Sequence, residues 1–116
     1  GNLFLITFVR TTVGITTISN SVPDKFSLEN NYPNPFNPST NIKFNIANVS
    51  LASLKIYDLK GREVAVLVNE KLQPGSYEFK YIADNLPSGV YFYRLETSSQ
   101  SGSGDFTQTK RMILLK

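Results

Sequence analysis

With 116 residues, 41% of them hydrophobic and with eight Phe and six Tyr, the chain has material for one packed domain and is too apolar to be disordered. It has no cysteine and no histidine, which excludes a disulfide framework, a thiolate zinc site, Ser-His and Cys-His nucleophile pairs and the commonest metal ligand. Twelve Lys and Arg against nine Asp and Glu leave a net charge of +3, but the basic residues are scattered and form no stripe for nucleic acid.

The chain opens on Gly1 rather than Met, which reads as a fragment or a processed product. Leu3-Phe4-Leu5-Ile6-Thr7-Phe8-Val9 is apolar, but Arg10 and the threonines cut it short of a membrane span. No basic region precedes it, so it does not read as a signal peptide. Residues 3–18 are rich in β-branched and aromatic types and predict one long strand or two short ones. Ser19 to Lys25 has turn chemistry. The expected organisation is therefore an N-terminal strand and linker over 1–25, then a compact module over 26–116.

Tyr32-Pro33-Asn34-Pro35-Phe36-Asn37-Pro38-Ser39-Thr40 carries three prolines within six residues. Proline fixes φ, lacks a donor and restrains the residue before it, so neither a helix nor a central strand fits here. A stiff, extended loop is expected, with Tyr32 and Phe36 plugging one end of a β core.

From there the pattern has period two. Ile42, Phe44 and Ile46 alternate with Lys43 and Asn45, and Leu54 and Ile56 with Lys55 and Tyr57. Lys60-Gly61 gives a tight turn. Val64, Val66 and Val68 then line one face of the returning strand, with Ala65 and Leu67 on the other. Residues 62–70 also fit helical spacing, but the valines favour strand. Gln73-Pro74-Gly75 suits a type II turn, Tyr77, Phe79 and Tyr81 share a face, and Leu86-Pro87-Ser88-Gly89 turns again. Val90 to Glu96 is β-prone, Ser98 to Gly104 is a Ser/Gly loop, and a last strand runs from about Phe106 to Leu115. Short strands at roughly ten-residue spacing define an all-β, antiparallel β-sandwich of about seven strands, with an extra N-terminal strand.

These residues also carry a resemblance. The proline stretch resembles the opening motif of the type A C-terminal sorting domains of type IX secretion. Ile56-Tyr57-Asp58-Leu59-Lys60-Gly61-Arg62-Glu63-Val64 resembles their central hairpin, and Leu86 to Leu95 their penultimate turn and strand. Lys110-Arg111-Met112-Ile113-Leu114-Leu115-Lys116 resembles their terminal strand. The same motifs are similar to an immunoglobulin-like module related to the flagellar hook-capping protein, so the resemblance implies an immunoglobulin-like sandwich.

It further implies an export address, recognised by an outer-membrane secretion translocon and in the family commonly removed by a sortase-like peptidase. The passenger would then be secreted or held at the cell surface of a Gram-negative bacterium. By position, Pro33, Asn34 and Pro35 would shape the first motif, Asp58 and Gly61 the hairpin, and Gly89 the second turn. Lys110, Arg111 and Lys116 would lie in the portion read by the machinery, which could dock the terminal strand by strand addition.

Other readings are weaker. Asp24, Glu29, Asn30 and Asn31 are spread too widely for a calcium loop, so no metal and no cofactor is expected. The acidic residues alternate with apolar ones or sit in turns, which argues against an enzyme. Tyr77, Phe79, Tyr81, Tyr91, Phe92 and Tyr93 could form a sugar platform, though core packing explains them more simply. The alternative to a sorting role is a cell-surface filament subunit. In that reading Leu3, Phe4, Leu5, Ile6, Phe8 and Val9 would form a strand donated to another copy of the chain.

Overall fold

The computed structural model describes residues 15–19, 21–99 and 105–116. Leu3, Phe4, Leu5, Ile6, Phe8 and Val9, expected as a donated strand, lie outside the described residues. Eight strands follow in order: β1 (Ile15–Ser19), β2 (Ser27–Leu28), β3 (Ser39–Ile46), β4 (Ser50–Tyr57), β5 (Glu63–Leu72), β6 (Gly75–Ile82), β7 (Gly89–Ser99) and β8 (Phe106–Leu114). They form two four-stranded sheets, β1-β6-β3-β2 and β5-β4-β7-β8, and every strand pairing is antiparallel. Stacked face to face, the sheets make an immunoglobulin-like β-sandwich.

The core follows from the alternation. Ile42, Phe44 and Ile46 of β3 face Ala52, Leu54 and Ile56 of β4 across the interior, and all six are at most 1% exposed. Tyr77, Phe79 and Tyr81 complete one inner face, and Tyr91, Tyr93, Leu95, Met112 and Leu114 the other. Each fully buried side chain of this size contributes about 1.5–3 kcal/mol of transfer free energy. The aromatic residues are therefore the core. Of the six aromatic residues weighed as a sugar platform, only Phe92 is not buried in the core.

Three expectations are revised. The first concerns β5, where the register slips twice, so that Leu67 and Val64 are each an extra residue opposite β4. Bulges change strand parity. Leu67 and Val68 are consequently both buried, while Val64 and Val66 face solvent. The three valines do not share a face.

The second concerns the start of the module. Ile15–Ser19, expected as the end of the N-terminal strand and outside the compact module, pairs with Ser76 to Phe79 of β6, and Ile15 packs against the core. The folded unit thus includes residues before Phe26. Gly75 is what lets β1 approach. It holds φ at +159°, and a Cβ there would lie 2.9 Å from the backbone oxygen of Ser19.

The third concerns the proline stretch, which is a series of bends rather than an extended segment, with backbone bridges to strands at Tyr32 and Phe36. Phe36 does plug the core and is 2% exposed, whereas Tyr32 is 78% exposed and plugs nothing. Phe36 leans on Tyr81, with ring centroids 6.5 Å apart.

Candidate recognition surface at one end of the sandwich

The proline loop joins β2 to β3 and is held from within. Tyr32 and Asn41 exchange backbone hydrogen bonds at 3.0 and 2.8 Å, which closes the loop's base. The Pro33 carbonyl, freed from any strand, accepts from the Thr40 hydroxyl at 2.9 Å and from Asn31 Nδ2 at 3.2 Å. Asn31 Nδ2 also donates to Thr40 Oγ1 at 3.0 Å. Both Asn31 and Thr40 are buried, so these bonds form away from water, where leaving the groups unpaired would be costly. Proline supplies stiffness, and the buried amide and hydroxyl supply position.

From this base the loop crosses to the other sheet. Phe36 forms a parallel bridge with Leu114 at the end of β8. Asn34 reaches the same strand through its side chain, with Oδ1 accepting from the Ile113 N–H at 3.0 Å. Pro33, Asn34 and Pro35 are thereby brought beside Lys110 and Arg111. Together with Asn30, Asn31, Tyr32 and Ile113 they line an open groove of about 630 Å³. No carboxylate lines it.

The β4–β5 hairpin stands at the same end of the sandwich. Gly61 takes φ of +85°, the left-handed region that glycine enters without penalty, and its N–H donates to the Asp58 carbonyl at 2.9 Å. Asp58 Oδ1 accepts from the N–H groups of Lys60 and Arg62, each at 2.9 Å, and Oδ2 from Arg62 Nε at 2.8 Å. The Arg62 N–H above all holds the Asp58 carboxyl below the ordinary carboxylate range. Every partner of this carboxylate lies in its own turn, so the residue is spent on turn geometry.

Gly89, expected to shape the second turn, opens β7 and does not take a left-handed φ. A Cβ there would meet only the Tyr91 ring, at an ordinary 3.8 Å. It shares a pocket of about 300 Å³ with Asp58, Leu59, Lys60, Arg62, Pro87, Val90 and Tyr91. Lys116 folds back over the β6–β7 loop, its N–H on Ser88 Oγ at 2.8 Å and its Nζ on the Asp84 carbonyl at 2.6 Å. The residues marked by the sorting motifs therefore gather at one end: Pro33, Asn34, Pro35, Lys110 and Arg111 line the larger hollow, and Lys116 lies on the β6–β7 loop. Asp58 and Gly89 line the smaller one, and Gly61 sits in the turn beside it.

Sequence reasoning missed Asn31, Thr40 and Ser88, which fix these loops. It also missed the role of two tyrosines. Tyr77 donates its hydroxyl to the Gln73 carbonyl at 2.6 Å, and Tyr91 to the Pro87 carbonyl at 2.7 Å. Both are tyrosine corners. Their shared signal, glycine two residues before tyrosine and a proline-containing turn before that, was present in Pro74-Gly75-Ser76-Tyr77 and Pro87-Ser88-Gly89-Val90-Tyr91. Among the described residues no group of three acidic side chains stands close enough to hold a metal. No helix there is long and apolar enough to cross a membrane.

Two stacked antiparallel sheets with their sequence-marked loops at one end define an immunoglobulin-like module. A profile of the secretion system C-terminal sorting domain matches residues 30–113, and the chain belongs to that family, the C-terminal sorting domains of type IX secretion. Among solved structures it is similar to PorZ, a surface component of the type IX secretion system of Porphyromonas gingivalis, at 22% identity and a TM-score of 0.43. That alignment covers 80% of this chain and 12% of the PorZ chain, so this chain spans a small part of its relative's length. Comparison with curated proteins finds no match.

Proposed function

We propose that this module is the export address of a passenger protein, carrying it across the outer membrane of a Gram-negative bacterium by type IX secretion. The family match over residues 30–113 carries this reading, and the gathering of the matched loops at one end supports it. In this reading the module is non-enzymatic and needs no cofactor. Its partners are the outer-membrane translocon and a sortase-like peptidase. The passenger is delivered to the cell surface or the medium. Recognition acts on a folded β-module, because Asn34 meets Arg111 and Ile113 only once the two sheets have closed.

The test is a reporter passenger fused to residues 1–116, expressed in a cell with type IX machinery beside the same passenger without them. Surface or medium location with the module and periplasmic retention without it is the expected result. Equal export of both overturns the reading. The filament alternative rests on residues 3–9 and is tested by light scattering on the chain with and without residues 1–14. Oligomers that vanish on truncation would establish strand donation.

A further inference from the structure

β8 is the last strand of its sheet. Such an edge ordinarily presents a row of unpaired N–H and C=O groups, the template on which another chain adds a strand. Here the row is already filled over the last residues of the strand, from the Arg111 carbonyl to the Leu115 N–H. The Phe36 N–H donates to the Ile113 carbonyl at 2.9 Å, and the Phe36 carbonyl accepts from the Leu115 N–H at 3.0 Å. One step earlier, Asn34 Oδ1 takes the Ile113 N–H at 3.0 Å, while Asn34 Nδ2 approaches the Arg111 carbonyl at a longer 3.5 Å. The Asn34 amide stands in for one peptide group of a neighbouring strand, and Phe36 supplies the next. Nearer the start of β8, Gln108 is engaged as well, its Oε1 accepting from the Leu28 N–H at 3.3 Å.

We propose that the proline loop is a built-in cap on the outer edge of β8, and that the partner reads this strand by its side chains rather than by adding a strand. This proposal rests on the sorting reading above. An incoming strand would have to break the bonds made by Asn34 and Phe36 and withdraw the Phe36 ring from the core.

The side chains left on display define the partner. Lys110 and Arg111 border a groove without a carboxylate, and neither makes an ion pair among the described residues. Leu115 is 54% exposed directly after the fully buried Leu114. The complementary surface is a protein face with carboxylates set for Lys110 and Arg111 and an apolar pocket for Leu115. An isolated exposed ion pair gains little, but pairs desolvated at a docked interface contribute to both selection and affinity.

The experiment uses the same reporter fusion, with each purified variant checked by thermal melting. Lys110→Gln with Arg111→Gln, and separately Leu115→Ser, are expected to cut export roughly tenfold or more, the effect of losing one well-placed contact, with melting unchanged. Leu115→Gln repeats the test if serine lowers the melting temperature. Asn34→Ala is expected to speed amide exchange at Ile113 roughly tenfold, the loss of one hydrogen bond, and to leave export at or below the parental level. Parental export by either side-chain variant, or export above the parental level by Asn34→Ala, overturns the proposal. Parental export after removal of the whole module overturns the sorting reading instead.

Discussion

The turns at 73–77 and 87–91 are built alike and sit at opposite ends of the sandwich. Each has a tyrosine whose hydroxyl returns to a carbonyl four residues upstream, with a glycine midway between. They differ in what lies above the glycine. At Gly75 the backbone of β1 crosses so closely that a single added carbon would sit 2.9 Å from Ser19 O. At Gly89 there is only the Tyr91 ring and an open pocket. A local motif fixes a local bond, and the neighbour brought in by tertiary structure decides whether its glycine is obligatory.

Gly75→Ala should give the largest effect. The methyl group meets backbone, which cannot rotate away, and overpacking of this kind costs about 1–3 kcal/mol. We expect a fall in melting temperature of roughly 10 °C and loss of amide protection in Ile15–Ser19, read by hydrogen exchange. Protection of β1 at parental levels in this variant would show that the strand does not need the glycine to dock.

The next effect is a pH dependence at the middle of the fold. Tyr93 is fully buried, and its hydroxyl donates to the Glu29 carbonyl at 2.7 Å. Burial pushes its pKa up to about 12 from the ordinary 10.0. Burial also raises Tyr77, Tyr81 and Tyr91. The unfolded chain therefore loses these protons first as pH rises. The contribution of Tyr93 is fully present below pH 10 and is lost between pH 10 and about 12, and the other three lose theirs in the same direction as pH rises. Chemical denaturation across that window should show falling stability, with phenolate absorbance appearing together with unfolding. Tyr93→Phe should flatten part of this dependence and cost about 1 kcal/mol at neutral pH through its lost bond.

Tyr77→Phe and Tyr91→Phe test whether the two corners are equivalent. Each removes one hydroxyl bond to a carbonyl, so each should cost about 1 kcal/mol, measured by urea unfolding. Similar losses would confirm that the tyrosine is the common part of the device and the glycine the variable one. A much larger loss at Tyr77 would mean that its hydroxyl also supports β1.

The strands of this fold were legible because their cores alternate. Ile42, Phe44 and Ile46, and Tyr77, Phe79 and Tyr81, read as inward faces and are inward faces. β5 was not, since its bulges at Val64 and Leu67 depend on pairing with β4 and leave the residue pattern looking regular. The Asp58 turn was legible because all its bonds are local. The groove beside Arg111 was not, because Asn34 and Ile113 are 79 residues apart and meet only across the sheet boundary. The four blocks of family resemblance marked these loops without showing that they share one end, or that one of them covers the edge of another.

Gly89→Ala should have the smallest effect on folding, and for that reason it separates structure from recognition most cleanly. Its φ is ordinary, and the added methyl would touch Tyr91 at normal contact distance. Alanine also narrows the unfolded ensemble, so stability should be unchanged or rise by up to about 0.5 kcal/mol. The same methyl would project where Asp58, Leu59, Lys60 and Tyr91 leave open space. If melting is unchanged while export of the reporter fusion falls, the glycine's value lies in keeping that space clear for the partner. If neither changes, the pocket beside the hairpin takes no part in recognition, and the address is confined to the groove between the proline loop and β8.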